Sequence, residues 1–420
     1  MGGVQNMQEL LKRRRQKLGA SIKDNSLVII LSGAAPVTSG DQHYEYTPHR
    51  HFYYLTHIDR PKMVYVLKKL NGVVEDYLFI EQVSKLEEKW SGNRLTKAEA
   101  KEKSGIEQVS ASSELQKILG GWLLHEELEH AYFDLERGTY EHQDTAQISF
   151  AKELQKQYPF LQVKNIYQTI TNQRLIKSEE EIANIRTAID KTRIGIEQMM
   201  KVSKPGLFEY QLEAHYNFAI KTEGVKKTSF HTIAASGSNA TILHYENNDQ
   251  VCQDGELILF DLGCEWNYYC SDISRTFPVN GKFTSRQREV YQAVLDVQVA
   301  VIDMIKPGVT FAELNQFAKA SLATACQKLG LIEKEEDVIR YYYHKIGHYL
   351  GLDTHDVGGR GGTLQSGMVI TVEPGLYISE EGIGIRIEDD ILVTETGSEN
   401  LSAGIIKSIA EIEAFMAGSK

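Results

Sequence analysis

Cysteine is scarce in this chain: four residues (Cys252, Cys264, Cys270, Cys326) among 420. That usage argues against a disulfide-stapled secreted fold and agrees with a reducing compartment. Cys264 and Cys270 flank an expected turn and imitate a metal-binding pair, but they read as reduced, half-buried thiols. Positive charge is also short. A formal net charge of −11 argues against nucleic acid as the main partner. The basic run Lys12-Arg13-Arg14-Arg15 reads as the solvated face of an N-terminal helix. No stretch reaches the ~18 apolar residues of a membrane helix, and no apolar signal-peptide core is present. Met1-Gly2 resembles an acylation start, but Asn6 stands where Ser or Thr is required. A cytoplasmic protein is expected, with no membrane partner.

What is present is ordinary globular composition, 42% hydrophobic and 25% charged, in a chain long enough for two domains. Residues 1–170 read as a mixed α/β domain. Strands are expected at Ser26–Leu31, at 62–70 and 73–81 around the hairpin signal Asn71-Gly72, and at 131–135. His43, His49, His51 and His57 cluster in sequence near Tyr44 and Arg50 and read as surface or packing residues. A boundary falls near 168–177, and residues 171–420 form the second domain.

That second domain repeats a pattern. Ser178-Glu179-Glu180-Glu181 is a capping box opening a long amphipathic helix, which ends at Lys204-Pro205-Gly206 before another helix begins near Phe208. Ile305-Lys306-Pro307-Gly308 ends a later helix in the same way, and Thr310 caps its successor. The two prolines are 102 residues apart, and each is followed by a histidine (His244, His348) and then two acids. Duplication explains the matched order better than coincidence and implies a pseudo-symmetric domain with its site on the axis.

Four acids and one histidine carry the chemistry: Asp261 in LILFDLG, Asp272 in CSDISRTFP, His348 in GHYLGLDTHD, Glu373 in TVEPGLY and Glu388 in GIRIEDD. Each acid lies in or beside an apolar, β-branched run, where a carboxylate is costly unless a cation holds it. Their charge of −4 is cancelled by two divalent cations. Oxygen-rich ligation with one imidazole suits Mn²⁺, with Co²⁺, Fe²⁺ or Zn²⁺ as alternatives. A two-metal hydrolase is the expectation. With Trp266-Asn267 as the centre of a hairpin turn, Asp261 falls directly opposite Asp272 on one face. Glu388 is expected on a continuous strand, 383–393, whose alternation puts Arg386 on the same face. His344 and His348 are four apart, but Gly347 and Gly351 argue for irregular backbone and close approach.

These motifs, nearly continuous from Leu175 to Glu413, resemble the Xaa-Pro aminopeptidase (aminopeptidase P) family within the proline-peptidase and methionine-aminopeptidase superfamily. The resemblance implies an α/β two-domain protein: a creatinase-like N-terminal domain and a C-terminal "pita-bread" α+β catalytic domain. It further implies that Asp261 binds one metal, Asp272 and Glu388 bridge both, and His348 and Glu373 bind the other. Glu373 would serve as general base and then acid in hydrolysing the bond before proline. His244 and His355 would stabilise the developing oxyanion, and His344 would orient the residue after the scissile bond. Tyr377 and Arg386 would support these groups. Proline-containing peptides are the implied partners of a homo-oligomer, dimer or tetramer, with Trp90 covering the proline pocket of a neighbouring subunit. A short Ser379-Glu380-Glu381-Gly382 segment replaces a longer cleft-walling loop of some relatives. Prolidase shares the fold and motifs but needs an arginine for a free carboxylate, for which Arg360 is the loop candidate. A metal-free binding protein and a creatinase-like amidinohydrolase are the remaining alternatives, and neither needs the five-residue set.

Overall fold

The computed structural model describes residues 2–418 apart from 84, 93, 140, 142, 360 and 361. The chain divides into two compact units, Met1–Arg174 and Leu175–Lys420. The first opens with α1 (Gly2–Ser21), β1 (Ser26–Leu31), α2 (Arg50–Thr56), β2 (Val64–Leu70) and β3 (Val73–Ile80). It continues through β4 (Gln108–Ala111), β5 (His130–Phe133) and β6 (Gln162–Asn165). These strands form one mixed sheet in the order β4-β3-β2-β1-β5-β6. Asn71 and Gly72 have φ of 50° and 77°, the double positive φ of a two-residue hairpin turn whose twist matches its strands.

The basic run corrects the sequence reading. Lys12 and Arg13 are exposed, but Arg14 and Arg15 are buried beside Leu11 and Leu18. Those four positions share one helical face. Arg14 donates to the Tyr54 carbonyl at 2.9 Å. Arg15 donates to the carbonyls of Leu55 and Ser104 and pairs with Asp76 at 2.8 Å.

Two of the four clustered histidines share one buried carboxylate. His51 Nδ1 lies 2.8 Å and His49 Nε2 3.3 Å from Asp134 Oδ2. Burial pushes His51 down from 6.5 to about 4, so its ring is neutral at pH 7. Burial alone would raise Asp134, but contacts with His49 and His51 hold it below the usual carboxylate range. Because the folded His51 value is depressed, its contribution to stability is present above pH 6.5 and is lost as pH falls towards 4. Thermal melts at pH 7 and 5 should show that acid loss, and His51→Gln should flatten it. An unaltered profile in the variant would assign the titration to another group.

The second unit begins with α3 (Glu179–Val202), opened by the Ser178 capping box, and α4 (Glu209–Thr222). β7 (Ile233–Ser236), β8 (Leu257–Leu262) and β9 (Ile273–Pro278) form an antiparallel sheet in the order β9-β8-β7. Then come α5 (Ser285–Met304), α6 (Phe311–Lys328), β10 (Val369–Val372), β11 (Gly375–Ile378), β12 (Ile383–Arg386), β13 (Asp389–Val393) and β14 (Ser398–Asn400). β10, β13 and β14 make a second three-stranded sheet, and β11 pairs with β12 as a hairpin. Each half thus supplies two helices and a small antiparallel sheet, and Gly206 and Gly308 occupy positive φ at the matching helix junctions.

Two details differ from the sequence expectation. The hairpin turn is centred on Asn267-Tyr268, at φ 48° and 66°, one residue later than expected. Asp261 therefore faces Ser274 rather than Asp272. A one-residue move of the turn centre shifts every partner by two, which preserves the side-chain face. Asp272 consequently lies diagonally from Asp261, still on its side, just ahead of β9.

The expected strand 383–393 is also broken. Arg386 ends β12 and Asp389 begins β13, and these strands belong to different sheets. At the break, Ile387 N–H donates to the Pro374 carbonyl and Glu388 N–H to that of Ser274. Arg275 takes the Glu388 carbonyl at 2.6 Å. The backbone thus turns to satisfy other partners, and Glu388 leaves the ladder. All four cysteines are fully buried, Cys264 and Cys270 among them, which the sequence reading expected to be half-buried. Burial pushes the thiols of Cys252, Cys264 and Cys326 up to about 11, away from thiolate chemistry. Among the described residues, no helix is long and apolar enough to cross a membrane.

Candidate metal centre

Residues from both halves of the second unit converge. Asp272 before β9, Glu388 before β13 and His348 in an irregular loop place one ligand atom each within 4.8 Å of one another. His348 Nε2 lies 3.3 Å from Asp272 Oδ2 and 3.7 Å from Glu373 Oε1. Its Nδ1 faces the Tyr349 carbonyl at 3.0 Å. A carbonyl only accepts, so Nδ1 carries the hydrogen and Nε2 turns its lone pair to the acids.

The loop is held by Thr371, whose N–H donates to the His348 carbonyl and whose hydroxyl accepts from the His348 N–H. A Cβ on Gly347 would come within 2.0 Å of the Thr371 carbonyl, so only glycine permits this approach. Thr371 also reaches Glu373 Oε1 at 3.4 Å.

The remaining acids are fixed individually. Arg386 Nη2 donates to Asp261 Oδ2 at 2.7 Å, while Asp261 Oδ1 is buried with no hydrogen-bond partner among the described residues. Ser274 donates its hydroxyl to Glu388 Oε2 at 2.7 Å. Asp390 Oδ2 accepts the Asp272 N–H at 3.2 Å. Sequence reasoning passed over Ser274, Thr371 and Asp390. Each lies two residues from a candidate ligand, and period-2 alternation along a strand was the signal that pointed to the first two.

The electrostatics explain what such a nest requires. Burial, followed by the neighbouring carboxylates, raises Asp272 and Glu388 well above the usual range. Burial and then Asp261 push Glu373 up to about 8, with Arg386 pulling the other way. Burial holds His348 down to about 4, which keeps its ring neutral and able to ligate. The acids therefore resist full ionisation unless positive charge joins them. The buried Asp261 Oδ1, which has no hydrogen-bond partner among the described residues, and three converging ligand atoms, one of them from the neutral His348 imidazole, fit a divalent cation.

A chain of hydrogen bonds runs beside this nest. Arg386 Nη1 donates to the Tyr377 oxygen at 3.0 Å, and Tyr377 donates to His344 Nε2 at 2.9 Å. His344 Nδ1 then faces the Lys345 carbonyl at 2.8 Å and lies 3.8 Å from Glu373 Oε2. Burial and then Arg386 lower His344 to about 4, which agrees with this neutral tautomer. His355 is exposed, its ring centroid 4.4 Å from that of His348. His244 is exposed on a turn. Arg360 lies outside the described residues. Trp90 is 88% exposed in the helix Lys85–Ser91 of the first unit.

A metal-dependent peptidase is the class to which this nest and the sequence both point. Residues 183–395 match metallopeptidase family M24, and residues 11–131 match the N-terminal domain of aminopeptidase P. The chain is 36% identical to the Xaa-Pro aminopeptidase of Escherichia coli K12, over 97% of its own length and 98% of the relative's. A solved chain from Bacillus anthracis is 45% identical, with a TM-score of 0.97 and 99% of both chains covered. Zinc-substituted E. coli aminopeptidase P in complex with product is 34% identical, with a TM-score of 0.90 over 98% of this chain and 99% of that one. The chain belongs to metallopeptidase family M24, and within it to the Xaa-Pro aminopeptidases.

Proposed function

We propose that the chain releases the N-terminal residue from peptides with proline in second position, with two divalent cations held by Asp261, Asp272, His348, Glu373 and Glu388. The observation that carries this reading is the nest itself: three ligand atoms lie within 4.8 Å of one another, and Asp261 Oδ1 is buried with no hydrogen-bond partner among the described residues. Asp272, Glu388 and His348, whose ligand atoms lie together, would hold the cations with Asp261 and Glu373. Divalent cations so held polarise a carbonyl and make water acidic enough to attack near neutral pH. The oxygen-rich donor set favours Mn²⁺, with Co²⁺, Fe²⁺ and Zn²⁺ accepted.

The chain's own groups then divide the work. Glu373 accepts the proton of the attacking water and returns it to the proline nitrogen, which must leave as an amine. His244 and His355 donate to the developing oxyanion. His344, its tautomer set by Tyr377 and the Lys345 carbonyl, orients the residue beyond the scissile bond. The bond before proline is a tertiary amide with no N–H for a strand-like clamp, so specificity comes from accepting the ring. Four buried thiols suit a cytoplasmic setting. In a dimer or tetramer, the exposed Trp90 is the side chain offered to a neighbouring subunit.

The test is hydrolysis of Xaa-Pro and Xaa-Pro-Yaa-Yaa by metal-stripped protein with Mn²⁺ restored. Metal-dependent release of the first residue from the longer peptide is expected. Cleavage of the dipeptide alone would make the enzyme a prolidase instead.

A further inference from the structure

Glu209, the first residue of α4, is fully buried. Its carboxylate accepts hydrogen bonds from both flanks of the segment that carries His244. Oε1 accepts from the Ser236 N–H at 2.6 Å, the Ser236 hydroxyl at 2.7 Å and the Asn239 amide at 3.1 Å. Oε2 accepts from the Tyr245 hydroxyl at 2.9 Å and the Gln250 N–H at 3.0 Å. These contacts fill the roughly four lone-pair directions a carboxylate offers. Tyr245 is the residue next to His244, so one of the bonds acts a single peptide away from the imidazole.

The stretch from Ile242 to Asp249 forms neither helix nor strand, and His244 is exposed. Regular structure and burial therefore do not fix that ring. The segment nevertheless lies on the catalytic side. Tyr245 and Ala240 pack in one buried cluster with Tyr377, which itself bridges Arg386 and His344. The Tyr343 hydroxyl donates to the Thr241 carbonyl at 2.8 Å. A Cβ on Gly384 would come within 2.0 Å of the Ala240 carbonyl, so the segment is seated directly on β12, two residues before Arg386.

We propose that Glu209 is a positioning residue: it fixes the approach of His244 to the substrate carbonyl while touching neither the substrate nor the candidate metal ligands. This inference rests on the role assigned to His244 above. Without the carboxylate, the buried Ser236 N–H and the partly buried Gln250 N–H lose their acceptors, and the segment must re-pair. Displacing a reacting group by about 1 Å costs on the order of 100-fold in rate.

Glu209→Gln keeps one acceptor oxygen and should lower kcat about tenfold, and Glu209→Ala about 100-fold. KM and Mn²⁺ affinity by titration calorimetry should stay within about twofold, because the ligand set is intact. Amide hydrogen exchange across 236–250 should quicken in Glu209→Gln, the variant that serves if the alanine protein does not fold. Adding Glu209→Gln to His244→Ala should cost little beyond His244→Ala alone. Unchanged kcat or unchanged exchange in Glu209→Gln, with His244→Ala impaired, would overturn the proposal. So would a parallel loss of Mn²⁺ affinity, which would mark a general structural role. Full activity in His244→Ala would instead remove the functional reading beneath it, whatever the exchange data show.

Discussion

Replacing Glu373 by glutamine is expected to lower kcat by at least about 10³-fold, within the range that general acid–base catalysis supplies, with the second unit still folded. Glu373 follows β10 directly, and its two oxygens face different partners: Oε1 lies 3.7 Å from His348 Nε2, and Oε2 lies 3.8 Å from His344 Nδ1. One oxygen thus belongs to the nest while the other looks along the hydrogen-bonded chain through His344 and Tyr377. Glutamine has nearly the same volume and keeps the Thr371 contact, so packing does not change. It has no proton-accepting oxygen of comparable basicity and is a poorer cation ligand. Measuring bound metal alongside kcat separates the two roles. Full metal content with lost turnover assigns proton transfer to Glu373, and lost metal restored by excess Mn²⁺ assigns ligation. Turnover near that of the parent would exclude both.

The second unit was legible where chemistry conflicted with local pattern. Asp261, Asp272, Glu373 and Glu388 drew notice because each interrupts or borders an apolar strand, and the structure brings Asp272 and Glu388 together with His348. The predicted pairing of Asp261 with Asp272 failed by two positions, yet its consequence held, because strand parity tolerates an even shift. Glu388 on a continuous strand failed for another reason. The break at 387–388 is imposed by Pro374, Ser274 and Arg275 from elsewhere in the chain, and no local propensity reports such partners.

The basic run shows the same limit. Four consecutive cations read as solvated, but helical spacing turned Arg14 and Arg15 inward to carbonyls 40 residues away. The His49–Asp134–His51 contact and the five bonds to Glu209 likewise join distant segments. Sequence reveals that a buried charge needs a partner, but only the fold names it.

Removing the metal should destabilise the second unit, and more so as pH rises. Divalent cation present at 100 times its dissociation constant stabilises the folded state by about 2.7 kcal/mol. For a unit of this size that corresponds to a loss of about 5–10 °C in Tm on chelation. The pH dependence follows from the raised carboxyls. In metal-free protein Glu373 is pushed up to about 8 from 4.5, and Asp272 and Glu388 are raised as well. Folded protein therefore holds protons that the unfolded chain releases. Their contribution to stability is complete below about pH 4.5 and is lost as pH rises through about 8. Metal replaces those protons, so the Tm gap between loaded and chelated protein should widen from pH 5.5 to pH 8. Acid destabilisation by His51 lies in the other unit, affects both samples and cancels in the difference. Calorimetry of the two samples across that range is the check. A gap that stays constant or narrows would mean that the acids do not share one buried field, and the two-cation nest would lose its electrostatic basis.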